Sequence, residues 1–169
     1  MKIKLGINRK SLNDTLKKVA IYDDGLTTEI RKANVKSSRE LIKTARQNLK
    51  INGTDDTGRL RSSLAVIDTD LKGLIYNTGT ELSYAGDIED GTNPHKLSNS
   101  DYVNLAEWVR KKLGYRKGEG LWIATHNIGH SIEVNGTDAQ PFLMPAAAQT
   151  KPKHKENIQA AIKKYNNKR

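Results

Sequence analysis

Residues 56–64 read DTGRLRSSL, and the fold depends on how this stretch is taken. Thr57-Gly58 followed by Arg59, Arg61 and two serines has the composition of a phosphate-binding loop. A loop of that type requires a glycine-rich run ending in Gly-Lys-Ser/Thr, after a strand and before a helix. Here the order is reversed: helical periodicity comes before, and Leu64-Ala65-Val66-Ile67 follows as a strand. One glycine also supplies no nest of backbone N–H groups. The stretch therefore reads as a turn out of a helix into a strand. Asp56 and Thr57 offer side-chain oxygens to it and Gly58 supplies unusual dihedrals. Leu60 and Leu64 face inward, while Arg59 and Arg61 stay outside, available to pair with a neighbouring chain.

Working upstream, Leu26, Ile30, Ala33, Ser37, Leu41, Ala45 and Asn48/Leu49 recur every three or four residues, the signature of one helical stripe. Asp23 and Asp24 cap this helix and Asn52-Gly53 ends it. Through Ile51 it runs about 26 residues, roughly 39 Å. Its small and polar members predict a loose grip on the core in the middle. A shorter helix carrying Leu12, Leu16 and Val19 is expected before it, capped by Ser11.

Downstream, Asp68 to Gly73 reads as a turn and Leu74-Ile75-Tyr76 as a second strand. Leu82 to Ile88 fits a third strand or a helical turn, and Asp90 to Pro94 is a loop. Ser98 to Asp101 is rich in N-cap residues. Tyr102, Leu105, Ala106, Val109 and Leu113 then share one helical face, closed by Gly114. Leu121, Thr125, Ile128 and Ile132 repeat the spacing up to Asn135-Gly136. Pro141 and Pro145 bracket Phe142-Leu143-Met144 as a docking segment, and a final helix begins at Ala146 with a dip at Lys151-Pro152. The expected fold is α+β: a long N-terminal helix and a C-terminal helix packed on a small, mostly antiparallel sheet, with a helical hairpin inserted at 98–135. Residues 1–150 form a single domain in this reading and 151–169 a basic C-terminal tail.

The composition narrows the function. There is no cysteine, which excludes disulfides and thiolate metal sites. No run of apolar residues reaches the length of a membrane span, and the first twenty residues lack the apolar core of a signal peptide. Nine aromatic residues in 169 are few for a compact enzyme, and suit a chain that completes its burial against neighbours. Residues 1–50 carry 13 basic and 5 acidic side chains, residues 51–150 carry 9 and 13, and residues 151–169 carry 7 and 1. Basic ends around an acidic middle suggest a polyanion or acidic partners.

Two further constellations have simpler explanations than chemistry. His126 and His130 stand four apart on one helical face, the spacing of a zinc-binding helix. The metalloprotease form needs a Glu beside the first His, and Asn127 stands there. A third ligand would have to come from His95, His154 or a carboxylate, so a polar helix face explains the pair better. Glu81, Asp87, Glu89 and Asp90 are close in sequence, but no apolar pocket can be inferred that would split their pKa values for acid–base work. They read as an acidic, solvated surface. No catalytic residue, cofactor or metal is expected.

Three segments together carry a family resemblance. Thr57-Gly58-Arg59-Leu60-Arg61-Ser62-Ser63-Leu64 follows a long helix. Tyr84-Ala85 and Ile88-Glu89-Asp90-Gly91-Thr92 come some twenty residues later, and Ala139-Gln140-Pro141-Phe142-Leu143-Met144-Pro145-Ala146 opens the last helix. This order resembles the neck, tail-completion or minor tail proteins that join head to tail in long-tailed bacteriophages. The resemblance covers about residues 10 to 150. It implies a structural, non-enzymatic role in virion assembly, in the virion neck after assembly in the host cytoplasm. It also implies a homo-oligomeric ring of six or twelve copies that meets connector and tail-terminator or tail-tube proteins. Thr57, Gly58, Leu60, Tyr84, Ala85, Gly91, Thr92, Pro141, Phe142 and Pro145 are then structural motif residues. The subunit-interface candidates are Arg59 and Arg61 on the basic side and Glu81, Asp87, Glu89 and Asp90 on the acidic side. Non-specific contact with exiting DNA is compatible with the basic ends. The rival reading is a basic nucleic-acid-binding protein that uses the 98–135 hairpin.

The turn reading of DTGRLRSSL has a direct test. Gly58→Val is expected to lower stability by about 1–2 kcal/mol, because a β-branched residue resists positive φ. Arg59→Ala should leave urea unfolding unchanged. A folded Arg59→Ala protein that has lost nucleotide binding would restore the phosphate-loop reading.

Overall fold

A computed structural model of the chain describes residues 2–5, 24–54, 57–70 and 74–167. The elements in order are β1 (Lys2–Leu5), α1 (Asp24–Ile51), α2 (Arg59–Ser63), β2 (Ala65–Asp70), β3 (Ile75–Gly79), α3 (Ala85–Asp90), α4 (Asn99–Lys112), α5 (Glu119–Asn135) and α6 (Leu143–Asn166). The helix expected from Ser11, the cap at Asp23 and the side-chain oxygens of Asp56 lie outside the described residues. The α+β architecture is as expected. Residues 1–85 with 141–169 form one compact unit, the body, and residues 86–140 form a second.

In the body, α1 and α6 pack antiparallel along their lengths. The Tyr165 ring lies over Gly25, Lys164 pairs with Glu29 at 3.0 Å, and Asn157 donates to the Ser37 hydroxyl at 3.0 Å. At the other end Asn48 donates to the Phe142 carbonyl and Asn52 to that of Pro141. The stripe read from the sequence is the face that does this: Leu26, Ala33, Ser37, Leu41, Ala45 and Leu49 are all buried. Its middle is polar but not loose. Asn34 donates to the Leu74 carbonyl at 2.7 Å, and Asn157 reaches both Ser37 and Glu40. Small side chains let the backbones approach, and hydrogen bonds satisfy the Ser37 hydroxyl and the Asn34 and Asn157 amide N–H groups so enclosed, while the Asn34 Oδ1 stays buried without a partner.

The sheet has the order β1-β3-β2, antiparallel throughout. Lys2 faces Gly79 in one ladder and Ala65 faces Gly79 in the other, with an irregularity between Val66 and Asp68. β2 runs to Asp70, so the turn expected from Asp68 begins later. α1 packs against the central strand β3.

DTGRLRSSL takes the chain from helix to strand through a short helix of its own. Gly58, at φ 72°, precedes α2, and the Thr57 hydroxyl accepts from the Arg59 N–H. Leu60 and Leu64 are buried, while Arg59 and Arg61 are exposed. Arg46 of α1 holds this corner by donating to the carbonyls of Arg61 and Leu64 at 2.9 and 3.1 Å. The Ser63 and Thr80 hydroxyls share a hydrogen bond, tying α2 to the end of β3. Residues 82–88, left open between strand and helix, enter the short helix α3.

The tail expected at 151–169 is corrected by α6, which continues through Pro152 to Asn166. Asn157, Ala161 and Tyr165 are buried, so its second half is core. Pro152 removes one backbone donor without ending the helix. The basic residues obscured this, because buried positions four apart (157, 161, 165) stand among exposed lysines.

In the second unit, α4 and α5 form a helical hairpin. The Ser98 and Asp101 side chains each bond the other's backbone N–H in a capping box, and the Ser98 hydroxyl and N–H, both donating to the Asp101 carboxylate, hold it below its usual range. Val109, Thr125 and Gly129 are buried between the helices. The Tyr102 ring lies against Gly129, where any side chain would displace it. At the base, Thr92 and Thr137 form a two-way backbone bridge and join through their hydroxyls. Gly91 fits here at φ 74°, and a Cβ would collide with the Thr137 carbonyl.

Removing residues 151–169 strips about two thirds of α6 from α1. The truncated chain is expected to lose cooperative urea unfolding and soluble expression. A truncated protein with the parent's unfolding midpoint would contradict the assignment of this segment to the core.

Candidate functional site

On α1, the surface opposite its buried stripe carries Lys32, Lys36, Arg39, Lys43, Arg46 and Lys50, all exposed. Their spacing alternates between four and three residues, so they stand in one row on one face. Lys32 to Lys50 spans about 27 Å at 1.5 Å per residue. Two open grooves of about 570 and 460 Å³ lie along this row and share Arg39 and Lys43. Val35 and Ile42 provide apolar lining, and Arg61 joins the second groove beside Arg46 and Lys50.

The charges along the row are largely unneutralised. Lys32 pairs with Glu29 at 3.1 Å, and Glu40 accepts a hydrogen bond from Asn157. Among the described residues Lys36, Arg39, Lys43 and Lys50 make no salt bridge. Glu29 is bonded by Lys164 and Lys32, which hold its carboxyl below its ordinary value.

The six interface candidates separate in the structure. Arg61 joins the basic row, whereas Arg59 is exposed but lines neither groove. Glu81, Asp87 and Asp90 are exposed. Glu89 is only 2% exposed and is engaged within the fold, so it is removed from the acidic surface. Its place on α3 explains this: Ala85 and Glu89, one turn apart, are both buried, while Asp87 and Asp90 point outward. The motif residues Gly58, Leu60, Ala85, Gly91, Thr92, Pro141 and Phe142 occupy the corners and core contacts described above. Tyr84 is 36% exposed, and Pro145 falls in the first turn of α6.

The hairpin has a second notable surface. Val103, Trp108, Leu113, Tyr115, Trp122, Ile123 and Val134 are all more than a third exposed. The His126 ring stacks on Tyr102 at 5.1 Å and lies 4.1 Å from the Trp122 ring, with its Nδ1 against the Trp122 carbonyl. His126 and His130 are both exposed. Among the described residues no three metal-ligating side chains come together. No helix there is long and apolar enough to cross a membrane.

Sequence reasoning passed over the basic row and the exposed aromatic surface. The signal for the first was present, since the cations fill the positions that the apolar stripe leaves free. Counting charge by segment hid its periodicity. Trp108 and Trp122 fall off the inward spacing of their helices, which was the corresponding signal for the second.

Compared with known proteins, the chain matches no family model, no curated protein and no solved structure.

The Glu29 contacts give a pH prediction. Its folded value is lowered, so its pairing stabilises the fold while the carboxylate is charged in both states and is lost as pH falls through the folded value. Glu29→Gln should therefore lower the urea midpoint at pH 7, with the difference from the parent shrinking as pH falls through the folded carboxyl's lowered range. A difference that stays constant across that range would contradict the ion-pair origin.

Proposed function

We propose that this chain is a structural assembly protein of the head–tail junction of long-tailed bacteriophages. In this reading it forms a ring with copies of itself and meets the connector on one side and the tail-tube or tail-terminator proteins on the other. The motif order supplies the family. The observation that carries an assembly role is the exposure of both tryptophans, 39% for Trp108 and 62% for Trp122, on a hairpin with five other exposed large apolar residues. Trp is costly to leave in water and dominates interface energetics when a partner covers it. Several exposed large apolar side chains on one hairpin suit a protein–protein contact better than a solvated face.

The motif residues support the same reading by what they do. They close the corner after α1, the base of the hairpin and the start of α6, and so build a scaffold instead of lining a reaction site. The six-cation row lies on α1 and not on the 98–135 hairpin.

The test is electron microscopy of lysates from a phage in which this gene is deleted. Filled heads and complete tails that fail to join are expected. Complementation with Trp108→Ser/Trp122→Ser, a folded variant, should not restore joining. Intact infectious particles from the deletion would overturn the junction assignment.

A further inference from the structure

We infer that the row Lys32, Lys36, Arg39, Lys43, Arg46 and Lys50, extended by Arg61, is a binding surface for the phosphate backbone of duplex DNA. The inference deepens the junction reading, on which it rests only for the choice of DNA as the polyanion at hand.

Residues 1–85 and 141–169 hold 23 basic and 11 acidic side chains, and the row concentrates six of those cations on one helical face. Leaving like charges side by side costs free energy that a polyanion relieves by displacing its own condensed counterions. The row's length of about 27 Å approaches one duplex turn of roughly 34 Å. Its members are all Lys or Arg, which suit phosphates. Gln47 and Glu40 also line the grooves, but the cations outnumber them, so affinity would come chiefly from phosphate contacts. Arg46 is fixed by its bonds to the Arg61 and Leu64 carbonyls, which sets one end of the surface in advance.

A second copy of the chain is a poorer occupant. Glu29, Glu107 and Glu156 are already paired with lysine or arginine, and Glu89 is buried. Among the described residues, the exposed carboxylates outside an ion pair or cap are Glu81 in the body and Asp87, Asp90, Glu119 and Asp138 in the second unit.

Fluorescence anisotropy of the full chain with labelled 25-base-pair duplexes of unrelated sequence tests the inference. The parent should bind them alike, with affinity falling as salt rises. Lys36→Ala/Arg39→Ala/Lys43→Ala should weaken binding about tenfold or more at 100 mM salt and reduce the log–log salt slope by about 2.7. Two controls remove the same charge elsewhere: Lys151→Ala/Lys155→Ala/Lys163→Ala on α6 and Lys111→Ala/Arg116→Ala/Lys117→Ala on the hairpin. Both should stay within about threefold of the parent. Absence of salt-dependent binding by the parent would overturn the inference. So would a loss in either control as large as in the α1 variant, or a change of oligomeric state in the α1 variant with DNA affinity intact. The assay uses no other phage protein, so its failure leaves the junction reading standing, and joined particles from a gene deletion leave the binding result standing.

Discussion

Asn157 reaching across to Ser37 and Glu40 fixes how α6 lies on α1, and the body is arranged around that contact. Alanine and serine on the facing surfaces allow the approach, and the amide satisfies the Ser37 hydroxyl and the Glu40 carboxylate there. With one face of α1 occupied along its length, the opposite face is left to solvent. That is where the six cations stand. Burial and charge on α1 are two consequences of one helical period.

The ends of the same helix pair organise the chain's corners. Asn48 and Asn52 hold the Pro141–Phe142 backbone where α6 begins, and Arg46 holds the carbonyls that end α2. Phe142 and Leu143 are wholly buried there. The residues that suggested a phage family thus have mechanical explanations: a left-handed glycine before α2, a crowded glycine beside Thr137, and an apolar pair after a proline. None of these explanations requires a ligand. They leave the exposed aromatic and cationic surfaces as the parts of the molecule not accounted for by its own folding.

Much of this was legible in the sequence, because periodicity and caps are local. The α1 stripe, the capping box at Ser98, the inward face of the hairpin and the inward Leu60 and Leu64 all follow from spacing and short-range chemistry. What was not legible depended on partners distant in the chain. Nothing local says that Asn157, Ala161 and Tyr165 meet α1, so a lysine-rich segment read as a tail. Glu89 read as a surface charge because its burial is set by the turn of α3. Polar residues in the α1 stripe read as weakness because the asparagine that satisfies one of them lies 120 residues away.

Native-state hydrogen exchange, followed residue by residue by NMR, tests the central claim that α6 covers α1 from end to end. Backbone amides of α1 and of residues 157–166 should belong to the same slowest-exchanging group and respond alike to low urea. Exchange of residues 157–166 at the rate of unstructured chain, with α1 still protected, would contradict it.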